Sequence, residues 1–441
     1  MPFGYTLFDP VIVLSVCSLI LYYLSSKPVM VLGWLPAAVS IYFFIPFITL
    51  ISLGQLVAIL LILYFFIRNK KLVLQPSMSV AMAFFLLSLL ASGGYAVAIS
   101  GDIPRMLIRS VFYFGIFAVF LFSYEMGLKE TAMPILIKGL ILLGVVLAIY
   151  GIYQIVAQSA GLPFRGIVRG TFGAQSAHEY GIPRINSLAS EPKRLGYVLF
   201  ISCLACFEWA RRNPDKEIKY KFAGVGIFLV STLTLSGSYF LTLLIFVLSR
   251  SLLDFKRQAL RSVLLCFSVI VLSVQLSSTQ FGEAITAGYD RRMSEIELGL
   301  DGQKVYRQEF YAQDFLLTNP EHILFGVGIG QYYSVLNSAY FPGVGKSDTG
   351  ELIPLNSQVL EMLLDTNILA ILLFYLGLLR LVLRLKRRGE LFLFYALLFL
   401  VAQSFTIQTL PFLATLAGFS FGYLYRRDAL CGGAVEQLKS N

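Results

Sequence analysis

Apolar residues in this chain form long unbroken runs, without the two-residue alternation of strands or the polar face of soluble helices. The runs fall near residues 10–24, 29–48, 50–67, 77–98, 106–126, 133–157, 195–210, 222–235, 237–253, 262–279, 358–381, 389–404 and 408–425. About 20 residues of helix cross a bilayer's hydrocarbon core, so the pattern predicts an all-α polytopic membrane protein with about 12 to 14 transmembrane helices. The short runs within 222–253 are the ones expected to be tilted, broken or merged. The runs divide the chain into N-terminal helices (1–157), a first long loop (158–194), central helices (195–279), a large loop with short helices (280–357), and C-terminal helices with a tail (358–441).

Composition strengthens this reading. Charged residues make up 14% of the 441, hydrophobic residues 57%, and mean hydropathy is +0.76, far from a soluble globule. The first ten residues carry no basic cluster and no small-residue cleavage site follows, so the first helix is expected to be retained. Most of the 35 Lys and Arg gather next to helix ends: Arg68, Lys70 and Lys71; Arg211 to Lys221; Arg250 to Arg261; Arg380 to Arg388; Arg426 and Arg427. On the thirteen-span reading these all face one side, which the positive-inside rule makes cytoplasmic. The net charge of +10 is then a topology signal and no nucleic-acid partner is expected, because no soluble basic domain exists.

The two long loops fall on the opposite face, which in a bacterium is the periplasm or cell exterior. Residues 158–194 hold Arg165, Arg169, Arg184, Lys193 and Arg194 against only Glu179 and Glu191, a positive balance that runs against the topology bias. Residues 280–357 hold five basic and ten acidic residues. Within them a helix is predicted over Gln303–Leu317, stopped by Asn319-Pro320, with Arg307, Phe310 and Asp314 on one face. Gly326-x-Gly328-x-Gly330 lacks the βαβ setting of a dinucleotide loop and predicts a turn that brings backbone against a neighbour.

Several chemistries find no residues. The two histidines, His178 and His322, form no paired metal-ligand motif, no G-x-S-x-G elbow is present, and no Asp-x-Asp serves a metal and nucleotide diphosphate on the outer loops. The Cys203-x-x-Cys206 pair lies inside an apolar run and is expected to pack. Arginines at the membrane surface remain. Their planar guanidinium groups bind phosphate or pyrophosphate bidentately, as a lipid-linked anionic substrate requires. On composition alone, phospholipid head groups and loop ion pairs would satisfy the same arginines.

Four stretches then carry a resemblance. Arg184-Ile-Asn-Ser-Leu-Ala-Ser-Glu191-Pro192-Lys-Arg-Leu-Gly196 resembles the R-x-x-S-x-x-x-E-P signature of bacterial Wzy-type polysaccharide polymerases, which share a superfamily with O-antigen ligases. Leu233-Thr-Leu-Ser236-Gly-Ser238 resembles the short T-x-S break between two helices of that superfamily, and Arg307 followed by Pro320 and Gly326-x-Gly328 its later R, P and G-x-G pattern. Pro354-Leu355-Asn356-Ser-Gln-Val-Leu360 is similar to its H-N-x-x-L segment, with Leu355 where the ligases carry histidine. Order and spacing fit from about residue 150 to 380.

The resemblance implies a GT-C-type bundle with two long periplasmic loops in the bacterial inner membrane, and a metal-independent glycosyltransferase that needs no cofactor. The donor would be a glycan on undecaprenyl pyrophosphate and the acceptor a second lipid-linked repeat unit, with membrane lipids and a chain-length regulator protein as further partners. Arg184 and Arg307 would stabilise the departing pyrophosphate, and Glu191, with His178 behind it, would activate or orient the acceptor hydroxyl. Arg165, Arg169, Arg194, Arg291, Arg292 and Asn356 are secondary substrate-binding candidates. Glu191 also has a structural role open to it, an ion pair with Arg184 or Arg194, and Asn356 a helix-capping one. The alternatives are an O-antigen ligase, which Leu355 disfavours, and a lipid-linked oligosaccharide flippase, whose charges would line a path through the membrane.

Overall fold

The computed structural model describes residues 2–3, 8–41, 44–45, 48–68, 87–95, 97–98, 102–165, 178–179, 182–183, 185–189, 191–250, 308–332 and 355–431. Its helices are α1 (Phe8–Ser26), α2 (Pro28–Ser40), α3 (Leu53–Arg68), α4 (Ile103–Gly127), α5 (Ala132–Ala160), α6 (Pro192–Arg212), α7 (Glu217–Thr232) and α8 (Gly237–Arg250), then α9 (Gln308–Thr318), α10 (Glu321–Phe325), α11 (Gln358–Asp365), α12 (Ile368–Arg387), α13 (Leu391–Gln403) and α14 (Leu410–Cys431). A further helical stretch occupies 87–95. Among the described residues, strand pairing is confined to short segments of two to five residues, such as His178–Glu179 against Ile182–Pro183.

The chain is therefore helical and membrane-like in composition. Among the described residues three helices, α4, α5 and α12, are long and apolar enough to cross a membrane, whereas the sequence predicts about thirteen spans. The difference has local causes. The run at 29–48 is helical only to Ser40, and short strands Phe44–Ile45 and Ile48–Ser52 follow. The run at 358–381 is broken at Thr366, after which the Asn367 side chain caps α12 by accepting from the Ala370 N–H at 2.8 Å. Other predicted runs, including 262–279, lie outside the described residues.

Close glycine contacts join the long helices. A methyl group added at Gly422 of α14 would lie 2.0 Å from the Tyr124 carbonyl oxygen of α4, and one at Gly418 would lie 2.2 Å from that of Phe120. This Gly-x-x-x-Gly face lets two parallel backbones touch, as packing between helices in lipid requires. Between the two ends of the bundle, Phe200 of α6, Tyr239 and Phe246 of α8 and Phe399 of α13 form a buried ring cluster, with Phe200 and Phe399 centroids 4.3 Å apart.

Among the described residues, the basic clusters gather at one end. Arg68 pairs with Glu125 where α3 and α4 finish, and Arg211 and Arg212 both bond Glu208 at the end of α6. Arg384 and Arg388 share Asp428, while Arg427 and Arg212 approach Glu390 at the start of α13. Because α4 and α14 run parallel, their C-termini belong to that same end. The N-termini of α4, α6, α11, α12 and α14 lie at the opposite end.

Candidate functional site

The end opposite the basic clusters begins with a fixed loop. Ser187 has φ of 51°, a left-handed conformation unusual outside glycine, and its surroundings hold it there. Its N–H donates to Gln154 Oε1 of α5 at 2.7 Å and its hydroxyl to the Leu147 carbonyl at 2.8 Å. The Ile185 N–H reaches the Leu233 carbonyl at 3.5 Å, so the loop leading to α6 touches the break between α7 and α8. Gly196 faces the Tyr239 ring so closely that an added methyl would meet it at 2.7 Å. Two of the stretches that carry the resemblance thus pack together, and Ser187 serves backbone geometry.

That loop delivers Glu191 to the N-cap position of α6, with Pro192 in the first turn. The carboxylate is buried, and the positive end of the helix dipole favours its charge. Lys193 is an ion-pair partner, with Nζ 3.0 Å from Oε2, one that the sequence had not suggested; Arg184, which it had, lies outside the described residues. Lys193 also donates to the Asn356 side-chain oxygen, which comes from the segment before α11. Glu191, Lys193 and Asn356, more than 160 positions apart along the chain at their extremes, form one cluster. Lys193 is the member that residue-by-residue reasoning passed over. The signal available was its place two residues after the glutamate, across a proline that forces the chain to turn.

From Asn356 the polar contacts continue. Gln408, just before α14, donates from its one amide nitrogen to the Leu355 carbonyl at 2.9 Å and to Glu361 Oε2 at 2.6 Å. Glu361 Oε1 accepts from Arg109 of α4 at 2.7 Å and from the Tyr332 hydroxyl at 3.0 Å. Arg109 Nε donates to Asp365 Oδ2 at 2.7 Å, an oxygen that also accepts from Tyr113 at 2.8 Å. Asp365 Oδ1 accepts the Gly330 N–H at 2.9 Å. The line from Glu191 to Asp365 therefore crosses α6, α11, the start of α14, α4 and the glycine turn.

The glycine turn has the role its spacing predicted. Gly326, Gly328 and Gly330 have φ of 73°, 101° and 70°, and an added methyl at Gly326 would lie 2.1 Å from the Thr366 carbonyl oxygen. Only a residue without Cβ lets this segment lie on α11 and reach Asp365. Ahead of it, α9 ends at Thr318 as its proline stop predicts, and buries Phe315 and Leu316 against Val327, Tyr332, Leu355 and Leu364. His322 stacks on Phe315 and its Nδ1 lies 2.9 Å from the Gly326 carbonyl, so it belongs to this packing.

The remaining candidates fall as follows. Arg194 is half-buried in the first turn of α6, next to Lys193. For His178 and Arg165 the backbone is placed, in short strands paired with Ile182–Pro183 and Pro2–Phe3. Arg169, Arg184, Arg291, Arg292 and Arg307 lie outside the described residues. Among the described residues no three His, Cys, Asp or Glu side chains gather as a metal site. Cys203 and Cys206 are buried in α6 among apolar neighbours, as expected. Chemically, the cluster offers a buried carboxylate that accepts a proton or orients a hydroxyl, an ammonium for an anionic group, and an amide for hydroxyl recognition. Neither a protein-family model nor a curated protein matches the chain.

Proposed function

We propose that this chain is a membrane glycosyltransferase of the polysaccharide-polymerase type. It transfers a glycan from undecaprenyl pyrophosphate to a lipid-linked repeat unit, at the periplasmic face of a bacterial inner membrane. The observation that carries the reading is the meeting of Glu191, Lys193 and Asn356 at the end of the bundle away from the basic clusters. Two separate stretches of the resemblance supply those residues, and the positive-inside rule assigns the basic end to the cytoplasm. Glu191 orients or deprotonates the acceptor hydroxyl, while Lys193, together with Arg184 and Arg307, meets the pyrophosphate. Leu355 is buried among Phe315, Tyr332 and Leu364, a packing role that suits a polymerase better than a ligase needing imidazole there. The apolar ring cluster between the two ends favours surface catalysis over a transport path. A GT-C-type bundle of about 12 to 14 spans with two long periplasmic loops is the architecture that goes with this reading.

The test is elongation by the purified chain, in lipid nanodiscs, of undecaprenyl-pyrophosphate repeat units, with excess chelator and no nucleotide sugar. Longer lipid-linked glycan is the expected product. An absolute requirement for added Mg²⁺ or Mn²⁺ would overturn metal independence. A deletion strain with bare acceptor and long lipid-linked chains would reassign the chain as a ligase.

A further inference from the structure

We infer that Gln408 is a positioning residue that holds the Leu355–Asn356 peptide so that Asn356 engages Lys193, and that the buried Arg109–Glu361 pair holds Gln408 in turn. The inference deepens the proposed function without depending on it for its readout. An amide nitrogen carries two N–H donors in a fixed plane. Gln408 directs both at acceptors from the α11 segment, the Leu355 carbonyl at 2.9 Å and Glu361 Oε2 at 2.6 Å. The Leu355 carbonyl belongs to the peptide bond whose nitrogen is that of Asn356, so fixing it fixes the plane from which the Asn356 side chain departs.

Glu361 is itself immobilised. Its other oxygen accepts from Arg109 and Tyr332, and Arg109 is held further by Asp365. The loop that carries Gln408 is fastened on its other side as well. The Gln358 N–H donates to the Ser404 carbonyl at 3.1 Å, and Gln358 Oε1 accepts the Thr409 N–H at 2.9 Å. Every bond from Arg109 to Gln408 is thus made by a buried or half-buried group with a fixed partner. The last link, Asn356 to Lys193, lies at the edge, where Lys193 keeps 18% of its side-chain surface. A rigid chain that ends at a partly open ammonium is the arrangement expected of preorganised support behind a binding group.

The experiment reads Lys193 directly, by pulse labelling of the full chain in nanodiscs with an amine-reactive reagent and quantification of each lysine by mass spectrometry. Lys221, at the other end and paired with Glu217, is the internal reference. In Gln408→Leu, which keeps the side-chain bulk and removes both donors, Lys193 labelling should rise about threefold to tenfold over Lys221, the population change expected from losing one hydrogen bond. Asn356→Ala should give a similar rise, and the double variant no more than Asn356→Ala alone, because both act on one contact.

Unchanged Lys193 labelling in Gln408→Leu would overturn the inference, as would a full further rise on top of Asn356→Ala. A global rise that includes Lys221 would report loss of fold. The decision then passes to Gln408→Asn, whose shorter amide cannot span both acceptors, and the same Lys193-specific rise is required of it. If the unaltered chain elongates no glycan while the labelling pattern holds, the polymerase reading falls and the positioning role stands; the converse result separates them the other way.

Discussion

At one end of the bundle pairs of arginines share single carboxylates; at the other, two carboxylates share one arginine. Arg211 and Arg212 both bond Glu208, and Arg384 and Arg388 both bond Asp428. Opposite them, Glu361 and Asp365 divide the guanidinium of Arg109. The groups are chemically the same, but the settings differ. Arg388 keeps 43% of its side-chain surface and has a neighbour able to replace it, whereas Asp365 keeps none and Arg109 is its cation. Exposed pairs contribute little because water and salt screen them, and a redundant partner reduces the loss further. A buried pair with every lone pair occupied gives little net stability relative to an apolar core, yet loses much when one member is removed. Redundancy suits an exposed end, where the loss of one contact leaves another in place. Single, fully satisfied contacts suit an end that must hold a geometry.

The largest expected effect tests that contrast at its centre. Arg109→Ala leaves Glu361 and Asp365 buried without their cation and removes the ionic contacts of α4 with α11. A loss of about 3–5 kcal/mol is expected, enough to abolish a folded, monodisperse preparation in mild detergent. Size-exclusion behaviour and thermal unfolding measure it. A variant as stable as the parent would mean that the triad is solvated, and the contrast between the ends would vanish.

The next effect separates holding geometry from doing chemistry. Glu191→Gln keeps the shape of the side chain and an oxygen that accepts from Lys193 but removes the charge, so stability should fall by about 1–3 kcal/mol, less than in Arg109→Ala, where the partner group is removed altogether. Glycan elongation, by contrast, should fall about 10²- to 10⁴-fold if the carboxylate serves the acceptor hydroxyl as base. Lys193→Ala should weaken elongation through the apparent affinity for the lipid pyrophosphate. Full activity in Glu191→Gln would leave the carboxylate a structural cap of α6 and move acceptor activation elsewhere on the chain.

The sequence revealed these two ends unequally. Long apolar runs marked most helices, since a bilayer-length hydrophobic segment needs no partner to be recognised, and the runs at 106–126 and 133–157 agree with α4 and α5 to within a turn. The basic clusters were legible for a similar reason: charge next to a helix end is a property of each segment alone. The break at Thr366 was not, because it depends on Asn367 capping the next helix and on the Gly326 turn lying against the Thr366 carbonyl. At the site, Glu191 and Asn356 stood out through their motifs, and the glycine turn through its spacing. The Arg109 network did not, although Arg109, Glu361 and Asp365 were visible as rare charges within apolar runs. Their pairing joins positions 252 or more residues apart, and no local pattern carries that information. Lys193 was hidden differently: beside four arginines in one loop, a single lysine looked like part of their general positive charge.

The smallest effect probes the redundancy itself. In Arg388→Ala, Arg384 still meets Asp428, and Arg388 is exposed enough that water takes its place, so the loss should stay within about 1 kcal/mol. Asp428→Ala differs in kind. It leaves Arg384, Arg388 and the neighbouring Arg387 together at the end of α12 with no carboxylate from α14 between them. Repulsion among them should make this variant less stable than Arg388→Ala, and raising ionic strength should narrow the gap, because salt screens like charges at an exposed site. Thermal unfolding of the two variants at low and high salt measures both points. If the gap is absent at low salt, the arginines at this end act independently, and sidedness alone accounts for their number. If the gap persists undiminished at high salt, the Asp428 contacts are effectively buried, and the two ends differ less than their exposure indicates.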